Sequence, residues 1–212
     1  IIAWIYAALG APDLFQSKYR AARDLIDTMP GMMRPWHLAV LSLHAIETGS
    51  LDAAADFHKR CLQLIALDGA FSPAHVLAFL ARARLTFARG DYQAALEALE
   101  EMLARFREAG VRWLAADALY YRGRTLLAMD RPEEALVSLQ QAKTAAERLN
   151  SRRVLWQINA ALAGLEPAAD KSETYRRQAR QLVQYIVDHS GSPTLTEIFL
   201  AQPAVKALFD QE

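Results

Sequence analysis

Turn-forming residues recur along this 212-residue chain at a nearly constant spacing. Gly10, Gly49, Gly90, Asp130 and Asp170 lie 39, 41, 40 and 40 residues apart. Similar helix openings follow the middle three: Ser50-Leu51-Asp52-Ala53-Ala54, Asp91-Tyr92-Gln93-Ala94-Ala95-Leu96 and Arg131-Pro132-Glu133-Glu134-Ala135-Leu136. The residues ahead of two of these turns also match, Arg84-Leu85-Thr86-Phe87-Ala88-Arg89 aligning with Arg124-Thr125-Leu126-Leu127-Ala128-Met129. A period near 40 residues is the mark of a repeat array. Each unit of such an array is one supersecondary element that cannot bury its apolar face until a neighbour stacks on it.

Both halves of each unit read as helix. From Asp91 to Arg107, apolar residues fall at Ala95, Leu96, Leu99, Met102, Leu103 and Phe106, the three-four spacing of an amphipathic helix. Start signals are Ser72 before Pro73, and Asp130 with Glu133 in the form of a capping box. Stop signals are Gly110 after Phe106 and Asn150 after Leu149. No stretch alternates with period two between hairpin turns, so no strand is expected. The spacing predicts an all-α solenoid of about five helical hairpins: 1–9 with 12–29, 34–48 with 51–67, 73–89 with 92–108, 111–129 with 132–149, and 152–166 with 171–189. The first is truncated, because the apolar run Ile1–Leu9 reads as a helix already under way and not as a leader peptide. The array then spans 1–189, and 190–212 is a divergent capping segment, with Thr194 and Glu197 as a second capping box and Pro203 interrupting the helix.

Composition narrows the function classes. Hydrophobic residues make up 53% of the chain, ample for a packed core. Lys plus Arg and Asp plus Glu balance at 24 each, which removes the basic excess of a dedicated nucleic-acid binder. No apolar run approaches the ~20 residues that span a bilayer. The single Cys61 cannot close an internal disulfide, in keeping with a reducing cytoplasm.

Within this frame the residues resemble tetratricopeptide repeats. Ala83, Gly90, Tyr92 and Ala95 fall at that family's small–Gly–Tyr–Ala spacing, and Gly123 and Ala135 occupy the equivalent places in the next unit. The period is longer than the usual 34 residues, and the family's Trp and terminal Pro do not recur. Repeats of this length look like those at the C-terminus of the bacterial maltose-regulon activator and related signal-transduction ATPases. The segment Arg153–Ala163, the run Arg176-Arg177-Gln178-Ala179-Arg180 and the tail Leu195–Leu200 with Ala204–Leu208 are similar to the closing repeats of such proteins. The resemblance implies a sensor or regulatory arm that binds a protein or peptide, including other domains of the same parent. A small-molecule effector sensor and a stand-alone adaptor or oligomerisation scaffold are the alternatives.

No catalytic pattern stands beside the repeat. Lys143-Thr144 has the last two letters of a phosphate-binding loop, but the five residues before it contain no glycine, and no nucleophile elbow occurs. Any ATPase or cyclase chemistry would belong to other parts of a parent protein, and no cofactor is expected. His58 and Cys61, at i and i+3, supply only two ligands, short of a metal site. The binding candidates are Arg84 and Arg124, which share one first-helix position, with Asp117 two turns and Tyr120 one turn before Arg124. First helices line the concave groove in tetratricopeptide proteins, where repeated guanidinium groups suit a partner's carboxylates. The competing expectation is that these arginines are spent on ion pairs inside the array, Arg124 on Asp117 for example. Tyr121 and the tryptophans are read as packing, and Arg152-Arg153 as a solvated face.

Overall fold

A computed structural model describes residues 33–66 and 73–210. The expected first hairpin, its Gly10 turn and the Ser72 cap lie outside the described residues. Those described are all-helical, with no strand among them: α1 (Met33–Glu47), α2 (Leu51–Ile65), α3 (Pro73–Ala88), α4 (Tyr92–Glu108), α5 (Ala115–Ala128), α6 (Pro132–Arg148), α7 (Arg152–Leu165), α8 (Ala169–Asp188), α9 (Pro193–Leu200) and α10 (Pro203–Phe209). Consecutive helices pack in adjacent pairs, and none is long and apolar enough to cross a membrane.

The repeat is written most plainly in the turns. Gly49, Gly90, Gly110, Asp130 and Asn150 all have positive φ, between 51° and 79°. At each, the next residue's N–H reaches back to a carbonyl five residues earlier: Ser50 to Ala45 at 2.8 Å, Asp91 to Thr86 at 3.1 Å, Val111 to Phe106 at 2.9 Å, Arg131 to Leu126 at 2.9 Å and Ser151 to Ala146 at 2.8 Å. This is the Schellman closure of a helix end, which satisfies otherwise orphaned carbonyls and requires a left-handed residue. Glycine supplies that conformation at no steric cost; Asp130 and Asn150 tolerate it because their short polar side chains do.

Several expected signals resolve differently. Asp130 closes α5 instead of opening α6, whose first flanking residue is Arg131 with no side-chain cap. Its φ of 57° assigns it to the preceding turn. Asp170 marks no turn and lies in the first turn of α8. The α7–α8 link is instead extended at Glu166 and Ala168, because Pro167 disfavours a helical conformation at Glu166. The cap of α9 is Ser192, whose hydroxyl accepts from the Leu195 N–H, so Thr194 is already inside the helix. The helix expected from 111 begins at Ala115, because Leu114 is left-handed at φ 61° and breaks the chain's regular path.

Two compact units divide the chain at Arg105 and Phe106, inside α4. In the first, α1 and α2 form a hairpin, and α3 packs against both. Ala45, Ala54 and Leu85 meet in its core, flanked by Ile46, Leu51 and Phe57. The buried Ser42 hydroxyl donates across the hairpin to the Ala54 carbonyl at 2.8 Å. The α3 helix is tied to α4 by Arg82 on Glu101 at 2.8 Å and by the Phe87–Tyr92 ring contact.

The second unit repeats the plan, with α5–α6 and α7–α8 as hairpins and α7 resting on α6. Its core gathers Tyr120, Leu139, Ala142, Val154, Ile158 and Leu162. Small residues set the helix spacing. A Cβ built on Gly123 would lie 2.7 Å from Leu139 Cγ, and Ala135 is fully buried beside it. Hydroxyls bridge both hairpins here too, Ser138 to the Leu119 carbonyl at 2.9 Å and Ser172 to the Ala163 carbonyl at 2.7 Å. Ala83 and Ala95 of the first unit are as deeply buried, as the repeat alignment requires of small positions. The expected capping segment forms α9 and α10.

Candidate functional site

The four candidate residues fall in two units. Arg84 belongs to the first unit and Asp117, Tyr120 and Arg124 to the second. Arg84 lies on α3 with its side chain only 14% exposed, and its guanidinium donates to Glu47 at the end of α1. This is a committed carboxylate partner, so the expectation of an uncommitted guanidinium in a groove is corrected for Arg84. The physical reason is burial: a cation this far from water requires an adjacent anion.

Asp117 is also committed, but to Arg153 and not to Arg124. It is 5% exposed in the first turn of α5, and one carboxylate oxygen lies 2.6 Å from Arg153 Nη2 on α7. The pair links the first helices of successive hairpins, and the helix N-terminus adds favourable field to the carboxylate. Replacing Arg153 with leucine is expected to cost about 2 kcal/mol, less than the ~3–5 kcal/mol of a fully buried pair because Arg153 is 34% exposed. Asp117→Asn should cost less, since the freed Arg153 can turn to water while a stranded Asp117 cannot. Urea midpoints of the two variants check the order; Arg153→Leu as the milder change would contradict the burial argument.

Arg124 is the exposed member of the candidate set and lies near two tyrosines. The Arg124 guanidinium carbon sits 5.8 Å from the Tyr120 ring centre and 5.6 Å from that of Tyr121. The two rings meet edge to face at 5.4 Å. Tyr120 is buried in the core of its unit, Tyr121 is half-buried, and Arg124 is exposed. Ring faces carry negative charge, so this stacking orients the guanidinium and restricts it. One stripe of α5 thus presents a cation on an aromatic base, one to two turns from the point where Arg153 docks.

Sequence reasoning missed Tyr121 and Arg153. Tyr121 has a helical signal, standing three residues before Arg124. Arg153 has a repeat signal: Arg84 and Arg153 reach carboxylates 37 and 36 residues earlier, and Arg89 reaches the Leu51 carbonyl 38 residues earlier. An arginine a little under one period after its acceptor ties one hairpin to the next.

His58 and Cys61 are both drawn away from water. Burial pushes the Cys61 thiol up to about 12, and its Sγ donates to the Pro35 carbonyl at 3.1 Å. Burial lowers the His58 pKa and nearby Arg82 lowers it further; burial also lowers that of His44, partly offset by Glu47. Among the described residues no group of three or more His, Cys, Asp or Glu is placed to hold an ion.

No protein-family model matches the chain, and no curated protein matches it in sequence.

Proposed function

We propose that this chain is a protein- or peptide-binding scaffold built as a tetratricopeptide-like solenoid, the sensor or regulatory arm of a larger bacterial signalling ATPase or transcription regulator working in the cytoplasm. The observation that carries the reading is Arg124 held over Tyr120 and Tyr121. A guanidinium at cation–π distance from two rings, on an exposed part of α5, suits a partner's carboxylate. The half-buried Tyr121 beside it supplies apolar area at low entropic cost, as binding surfaces commonly do. Within each unit, short links and arginine ties make the helices a support. Arg84, Asp117 and Arg153 belong to that support.

The test is a panel of fluorescent peptides rich in Asp and Glu, with basic peptides of equal length as controls. Saturable binding of acidic peptides is expected, weakened at least ~10-fold by Arg124→Glu, with the melting temperature nearly unchanged because the residue is exposed. Equal binding by the variant, or a clear fall in melting temperature, would remove Arg124 from recognition and overturn the reading.

A further inference from the structure

The last two helices rest on α7 and α8 through few anchors. Of residues 191–210 only Phe199, Val205 and Leu208 are buried, while Leu200 and Phe209 are left exposed. At 8 and 7 residues, α9 and α10 are about 12 and 10 Å long, against about 30 Å for the 20 residues of α8. Helices this short are not stable alone in water, so they are folded because they are docked.

The manner of docking is that of a ligand. Phe199 sets its ring against Trp156 of α7 at 5.9 Å and 86°, edge to face. Val205 and Leu208 bury their aliphatic side chains, and α10 packs on α8. Arg180 of α8 donates through Nε to the Leu208 carbonyl at 2.7 Å, and Glu173 holds the same guanidinium at 3.4 Å. That carbonyl belongs to the last turn of α10, where carbonyls lack partners within their own helix. Arg180 therefore reads a helix end, not a side chain, and any helix ending there offers the same acceptor. One turn beyond Trp156 on α7, Asn159 is 2% exposed and its Oδ1 has no hydrogen-bond partner. A buried acceptor without a partner is costly.

We propose that residues 193–209 are a displaceable internal ligand, and that the α7–α8 face beneath them is a docking surface for a short amphipathic helix of a partner protein. The partner helix brings an aromatic anchor for Trp156, aliphatic residues in the places of Val205 and Leu208, and a terminal carbonyl for Arg180. This surface is separate from Arg124, and neither reading depends on the other.

Native-state hydrogen exchange on the unaltered chain is the first test. The amides of 195–209 should exchange together, at least ~100-fold faster than those of α7 and α8, because the cap opens without the hairpin. The second uses a fluorescein-labelled peptide of residues 193–210. It should bind the full chain carrying Leu208→Asp at least ~10-fold more tightly than the unaltered chain, which must first open, and Arg180→Ala should abolish that gain. Cap amides as protected as those of α8 would overturn the proposal, whatever becomes of the variant. So would failure of the peptide to bind a Leu208→Asp chain that keeps the parent's helical spectrum.

Discussion

Replacing Gly123 with leucine is expected to lower the unfolding free energy by about 3 kcal/mol, the upper end for overpacking a core. The first added carbon already meets Leu139 at 2.7 Å to Cγ and 2.9 Å to Cδ2, and the Ala135 carbonyl at 3.4 Å. Leu139 is fully buried and cannot swing out to water. Three further carbons can fit only if α5 and α6 separate, which also loosens the Ser138–Leu119 hydrogen bond. Gly123→Ala tests the same contact more finely. Its gain in helix propensity, about 1 kcal/mol, runs against the displacement of Leu139, and a net loss is expected. Gly164→Ala is the control, because nothing lies within 4 Å of a Cβ there. It should be neutral or stabilising. Urea unfolding of the three variants with unchanged slope provides the reading. A Gly123→Leu chain as stable as its parent would mean that α5 and α6 are not in this register.

Gly123 also shows which part of the fold was legible. Its place follows from the repeat alignment, since a small residue recurring at one helix position has no other evident cause than a close neighbour. The turns at Gly49, Gly90 and Asn150 were equally plain, because left-handed closure admits few residue types. Asp130 and Asp170 were not. An aspartate serves as a helix cap, as a left-handed closure and as a first-turn residue, and sequence alone does not rank the three. At Asp130 the left-handed closure is what forms; at Asp170 Pro167 shapes the turn, leaving the aspartate in the helix. The candidate site was legible only in its parts. Residue types at a shared first-helix position identified Arg84 and Arg124 as a pair, yet their fates differ because one is buried and the other is not. Burial depends on how neighbouring helices pack, which a single helix's pattern does not carry. Partner choice was hidden for the same reason: Asp117 is two helical turns from Arg124 in sequence, but the guanidinium that reaches it comes from the next hairpin.

Charge reversal at Arg84 separates support from recognition. Arg84→Glu is expected to cost about 3–4 kcal/mol, because it removes a largely buried cation from beside Glu47 and sets a second carboxylate against it. The discount for exposure is small, since the Arg84 side chain is only 14% exposed, although Glu47 at 44% can turn partly outward. Arg84→Met keeps most of the volume and removes only the charge. It should cost about 1 kcal/mol or less, for the remaining Glu47 is solvated well enough to stand alone. Glu47→Lys combined with Arg84→Glu should recover part of the loss by restoring an opposite pair, which a general intolerance of the site would not allow. Denaturant midpoints measured for the three chains decide the matter. If Arg84→Glu unfolds with its parent, the Glu47 contact contributes nothing, and Arg84 returns beside Arg124 as a residue available to a partner. If it unfolds early and the double exchange rescues it, Arg84 holds α3 to α1, and Arg124 alone remains for recognition.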